Sequence, residues 1–210
     1  MDNKKVKGYA YGVIASVSYG LNPLFALPLY ASGIRVDSVL FYRYVFALLF
    51  LAVMMKMSGQ SFALKRNEIL PVAVMGLLFS FSSLFLFQSF NYMDAGIAST
   101  ILFMYPVLVA VIMAVFFKER LSVVKIASIA TAFVGISMLY KGEGGATLSM
   151  TGVCLVLMSS LTYALYIVGV NRSSLKEMPG LKLTFYAILF GSLVYIVRLR
   201  GGMDLQWLTE

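Results

Sequence analysis

Arg43 is the one cation set well inside an apolar stretch, Ser38–Met55. Arginine keeps its charge in proteins, so an arginine at membrane depth needs a partner, water or a solute. Two chemistries fit. The guanidinium binds a solute carboxylate, or it snorkels to the surface and pairs with Asp37 or Asp94. Asn22 and Gln88 carry amides that both donate and accept, and Ser99 adds a hydroxyl. Tyr19, Tyr105 and Tyr163 supply aromatic walls with polar tips. These residues are the candidate substrate-cavity set, and each has a plainer alternative as an interhelical hydrogen bond or an interfacial aromatic. Pro23 and Pro106 are candidate helix kinks, because proline removes a backbone donor and clashes with the preceding turn. For Pro23 this frees carbonyl groups near Tyr19.

The rest of the inventory narrows the chemistry. The chain has no histidine and a single cysteine, Cys154, within an apolar stretch. No catalytic residue, metal site or cofactor is expected, and a membrane enzyme lacks its nucleophile–base pair. Asp37 and Asp94 stand at the ends of apolar stretches, so no acidic proton relay lies at membrane depth.

The elements that must hold these groups are membrane helices. Of the 210 residues, 60% are hydrophobic and 12% charged, and the mean hydropathy is +0.88. Soluble domains carry roughly 25% charged residues. Seven stretches approach the length of about 20 apolar residues that crosses a bilayer: Gly8–Tyr30, Ser38–Met55, Ile69–Phe90, Ala95–Phe117, Val123–Tyr140, Thr151–Val170 and Leu181–Val197. The expected fold is an all-α polytopic membrane protein with seven transmembrane helices, since lipid leaves no other way to satisfy the backbone in separate spans.

Basic residues orient the bundle. Lys4, Lys5, Lys7, Lys56, Lys65, Arg66, Lys118, Arg120, Lys125, Arg172, Lys176 and Lys182 fall on one side. Only Arg35, Lys141, Arg198 and Arg200 fall on the other. The positive-inside rule predicts a cytoplasmic N-terminus in the inner (plasma) membrane. This asymmetry accounts for the net charge of +8, and no continuous basic patch points to nucleic acid. The expected partners are the lipid bilayer, a small-molecule solute and, in a homo-oligomer, a second copy of the chain.

The sequence also echoes itself at an offset of 144 residues. Gly8, Ser16, Tyr19, Phe41 and Tyr42 recur as Gly152, Ser160, Tyr163, Phe185 and Tyr186. A repeat of five helices makes the second copy enter the membrane from the opposite side, and inverted repeats place a solute site near the midplane. Residues 8–140 are read as the first repeat, 141–150 as the joint and 151–210 as an incomplete second repeat, its first two helices. Gly8, Gly12, Ser16 and Gly20 form a small-residue file on one helix face, the pattern of close packing between membrane helices or of a sliding interface.

Particular motifs sharpen the reading. Ala95-Gly96-Ile97-Ala98-Ser99-Thr100 precedes Tyr105-Pro106-Val107, and the span closes with Phe117-Lys118-Glu119-Arg120-Leu121. Ala127 and Phe133-Val134-Gly135-Ile136 follow. Tyr19-Gly20-Leu21-Asn22-Pro23, Phe41-Tyr42-Arg43 and the stretch from Gln88 to Tyr92 complete the set. Together they resemble the EamA family of the drug/metabolite transporter superfamily over residues 8–140 and on through 152–200. The resemblance implies a transporter, often an exporter, of amino acids or other small metabolites working by alternating access. It departs from the ten-helix type by three spans, so a C-terminal truncation is expected. The alternative is a non-transporting membrane subunit or gene remnant whose bundle a partner completes.

Overall fold

A computed structural model describes residues 3–119, 127, 130–131, 134 and 149–206, with side chains described from Gly8 onward. Among the described residues the secondary structure is helical, with no strand. The helices are α1 (Asn3–Gly20), α2 (Asn22–Ala31), α3 (Val36–Met57), α4 (Arg66–Ser89), α5 (Ala95–Leu102), α6 (Tyr105–Phe117), α7 (Met150–Arg172) and α8 (Gly180–Arg198). α1 with α2, and α5 with α6, each form one broken rod. Among the described residues six rods are therefore long and apolar enough to cross a membrane: Gly8–Ala31, Val36–Met57, Arg66–Ser89, Ala95–Phe117, Met150–Arg172 and Gly180–Arg198. The expected span Val123–Tyr140 and joint 141–150 fall almost wholly outside the described residues. Ala127, Ala130, Thr131 and Val134 are described, and they are helical.

The breaks fall where the prolines require them. Pro23 and Pro106 occupy the first turn of α2 and α6, where a missing N–H costs nothing. Asp94 starts α5 by accepting from the backbone N–H groups of Gly96 at 2.8 Å and Ile97 at 3.1 Å. Lys118 ends α6 in the left-handed conformation, with φ of 54°.

α4 is the hub, packing along α7 and α8, while α8 also covers α3 and α7 covers α5 and α6. Lipid is as apolar as the side chains, so close approach and hydrogen bonds, rather than water exclusion, hold such helices together. The closest approach is α4 against α8. A Cβ on Gly76 would stand 2.6 Å from the Ala187 carbonyl oxygen, and one on Gly191 would stand 2.8 Å from the Gly76 carbonyl oxygen. Between α4 and α7, Ser82 Oγ donates to the Ser159 carbonyl at 3.0 Å and Ser159 Oγ returns a bond to the Ser82 carbonyl at 2.7 Å. These hydroxyls are buried, and the bonds close over themselves without leaving an orphan.

The small-residue file of α1 behaves differently from expectation. Every residue from Gly8 to Gly20 is exposed, and a Cβ on Gly8, Gly12 or Gly20 would meet nothing within 4 Å. Ser16 Oγ turns back to the Gly12 carbonyl of its own helix at 2.9 Å. Among the described residues, backbone-to-backbone approach at glycine joins α4 and α8, because there the partner helix lies alongside.

Candidate functional site

The α1–α2 break faces a cavity of about 230 Å³ walled by α3, α4, α7 and α8. Arg43 reaches it from α3, one turn beyond Leu40. Its Nη2 donates to Asn22 Oδ1 at 2.5 Å, and its guanidinium carbon lies 4.7 Å from the centre of the Phe87 ring. The sequence offered Asp37 and Asp94 as its partners, and the structure assigns both elsewhere. Asp37 takes both its bonds from Arg198, Nε at 2.6 Å and Nη2 at 3.1 Å. Asp94 is spent on the α5 cap. Arg43 is thus held by a neutral amide and an aromatic face, and among the described residues the cavity lining contains no carboxylate.

The broken helix puts Asn22 in place. Its position at the head of α2, just after Leu21, turns its amide toward α3. Opposite lies a chain of hydroxyls. Ser80 Oγ donates to Tyr44 Oη at 3.1 Å, Tyr44 Oη lies 3.3 Å from Ser83 Oγ, and Tyr195 Oη donates to the Ser80 carbonyl at 3.0 Å. The Tyr44 and Tyr195 rings meet edge-on at 4.7 Å. Leu40, Leu86 and Ile188 give apolar wall, and Phe79 and Tyr163 give aromatic wall. The space is smaller than the roughly 300–1,000 Å³ typical of drug-sized pockets. Its lining sets one cationic group against a largely apolar and aromatic wall.

Of the seven residues singled out from the sequence, Tyr19, Asn22, Arg43 and Tyr163 line this cavity. Tyr105 stands behind it, its ring edge-on to Tyr163 at 4.8 Å. Ser99 bonds the Ala95 carbonyl of its own helix at 2.7 Å. Gln88 faces a separate pocket at the α2–α3 end of the bundle. Tyr44, Phe79 and Phe87 escaped the sequence reading. A signal existed for Tyr44, which neighbours Arg43, but which aromatic faces a cavity is decided by packing.

The break at Pro106 is also secured from outside its helix. Proline has no N–H for the carbonyl four residues back, that of Leu102. Ser160 Oγ on α7 approaches it at 3.2 Å and the Ile101 carbonyl at 3.4 Å. Ser160 is fully buried. Ser160→Ala should therefore lower stability by about 1–2 kcal/mol, the cost of orphaning a buried carbonyl. Thermal unfolding in detergent measures it, with Ser16→Ala, whose hydroxyl is exposed, expected to melt with the parent. Equal melting of both variants would refute the role.

Residues 6–141 match the EamA-like transporter family. The chain belongs to that family. It is accordingly a multi-pass membrane protein of a transporter family and not an enzyme. Among curated relatives, an uncharacterized transporter YxxF of Bacillus subtilis is 29% identical over 131 residues, covering 60% of this chain and 42% of the relative. An uncharacterized transporter of Archaeoglobus fulgidus is 28% identical over 102 residues, covering 49% of this chain and 36% of the relative. The B. subtilis uncharacterized transporter YvbV is 27% identical over 131 residues, covering 60% and 43%. The matched stretch thus spans less than half the length of each relative. No solved structure matches.

Proposed function

We propose that the chain is the body of a small-metabolite exporter that binds a carboxylate-bearing solute, amino acids among them, at Arg43 and Asn22. The carrying observation is a cation within an apolar span that faces a cavity and, among the described residues, has only a neutral amide and a ring for partners. Tyr19 and Tyr163 form its aromatic walls and Tyr105 backs them. Gln88 and Ser99 lie outside this cavity. Transport proceeds by alternating access between inverted repeats, residues 8–140 and 151–210, with the N-terminus in the cytoplasm and the chain in the plasma membrane. The facing of Tyr19 and Tyr163, counterparts at the offset of 144, into one cavity supports the repeat. In this reading α1 packs on a second set of helices as α7 packs on α4, α5 and α6, which accounts for its bare face.

The test is uptake into proteoliposomes of two matched solutes that differ only in the charged end, 3-phenylpropionate against phenethylamine, with the zwitterion phenylalanine as a second carboxylate. The carboxylates should enter at least roughly tenfold faster, the worth of one charge-assisted hydrogen bond. Faster entry of the amine would sink the proposal. The exposure of α1 favours a second reading, in which helices from another chain complete the bundle before it transports. Uptake that appears only when a second membrane protein is co-reconstituted would select it.

A further inference from the structure

A second pocket, of about 330 Å³, opens at the α2–α3 end of the bundle. It lies between the turn 32–35 and the ends of α4 and α8. Its charged lining is Arg35, Asp37 and Arg198, two guanidinium groups against one carboxylate. Asp37 is already neutralised by Arg198 through two bonds. Arg35 has no ion pair among the described residues. The side-chain amides of Gln88 and Asn91, which also line the pocket, likewise have no partner there. The rim is built rather than loose. Gln206 accepts from the Arg35 backbone N–H at 2.5 Å and donates from its own backbone to Ser38 Oγ at 3.2 Å, while Tyr42 Oη donates to the Gln206 carbonyl at 3.1 Å.

Only one layer separates this pocket from the Arg43 cavity. Phe87 lines the inner cavity and its neighbour Gln88 lines the outer pocket. Tyr30 lines the outer pocket, and its hydroxyl points to the Phe87 carbonyl at 3.5 Å. It stands within electrostatic reach of both Arg43 and Asp37. The long hydrogen bond is a weak fastening, and packing of the ring against the hydrophobic core supplies the rest of the seal.

We propose that the outer pocket is a second binding station for small carboxylates, feeding or draining the Arg43 cavity through a partition made by Tyr30 and Phe87. Free guanidinium and amide donors at Arg35, Gln88 and Asn91 would receive the carboxylate, and the Asp37–Arg198 pair would fix the wall. This rests on the Arg43 reading for the identity of the solute, but its test needs no transport.

The experiment uses the full chain in lipid nanodiscs with Cys154 replaced by alanine. Reporter cysteines are placed at Gln88 in the outer pocket or Ser83 in the inner cavity. The probes are two methanethiosulfonate reagents of similar size, an anionic ethylsulfonate and a cationic ethyltrimethylammonium. At low salt, where screening is weak, Gln88→Cys should prefer the anionic reagent by roughly fivefold relative to free mercaptoethanol, the effect of one nearby unpaired charge. Arg35→Gln should abolish the preference. Ser83→Cys should react slowly and accelerate by roughly tenfold or more with Tyr30→Ala, because the open fraction limits access. Tyr30→Phe, which keeps the ring, should stay near the parent rate and guards against a folding artefact. Absence of the anion preference, or its persistence in Arg35→Gln, overturns the binding station. Equal Ser83→Cys rates in the parent and Tyr30→Ala overturn the partition. Either failure leaves the Arg43 cavity standing, whereas loss of carboxylate selectivity in uptake removes that cavity and leaves these rates intact.

Discussion

Arg43→Gln should reduce carboxylate uptake by roughly 10- to 100-fold, the range for losing a hydrogen bond between charged partners. The loss should fall mainly on the apparent KM, since the guanidinium contacts solute while other groups set the cycle. Lysine should not restore the rate, because its ammonium cannot present the planar fork that holds Asn22 and a carboxylate together. Thermal stability should hold or rise in Arg43→Gln. The arginine bonds only Asn22 at the edge of the broken helix, and a charge held by a neutral amide at membrane depth is costly to the fold. A variant that melts early and transports at the parent rate would contradict the prediction on both counts. Measurement is by initial uptake rates in proteoliposomes, beside melting curves of the same preparations.

Gly191→Ala should be the most damaging single methyl among the described residues. The new Cβ would meet the Gly76 carbonyl at 2.8 Å and would overlap Ser80 Oγ. The Ser80 hydroxyl is the nearest obstacle and the Gly76 backbone the next, and backbone cannot rotate aside, so α8 must move away from α4. That movement would pull Tyr195 from the Ser80 carbonyl and disturb the hydroxyl chain to Tyr44. Overpacking of this kind costs about 1–3 kcal/mol, or roughly 2–12 °C of melting temperature for a chain of this size. Gly76→Ala should behave alike, since its Cβ would meet the Ala187 carbonyl at 2.6 Å. Gly12→Ala is the control: it meets nothing and favours helix, so it should be neutral or slightly stabilising. Static light scattering and unfolding curves in one detergent would decide it, and an unaffected Gly191→Ala would show that α4 and α8 are not in firm contact.

The helices were legible because lipid enforces them. A backbone with no water to bond must close on itself, so length and apolarity alone placed six rods to within a few residues of where they lie. The prolines were legible for a similarly local reason, and both broke their rods where a donor is lost. Arg43 could be singled out because a permanent charge in an apolar run is costly wherever it points. Partners were another matter. Asp37 is close to Arg43 in sequence, yet it pairs with Arg198, 161 residues further along the chain. The glycine file of α1 carried the stronger pattern, yet the isolated Gly76 and Gly191 make the tight crossing. A pattern marks what a face is able to do, and only a neighbour determines whether it does so.

The sequence by itself therefore determined the class of fold, the transporter-family motifs and the one cation that demands explanation. These follow from one-dimensional facts: hydropathy, proline geometry and charge. The tertiary structure alone decided that Asn22, Tyr44, Phe87 and Tyr163 surround that cation, that Gln88 belongs to another pocket and that Ser160 covers the carbonyl Pro106 leaves free. Those relations join residues from separate helices, and in lipid the choice among helix pairings rests on close fits and a few hydrogen bonds that no single helix records.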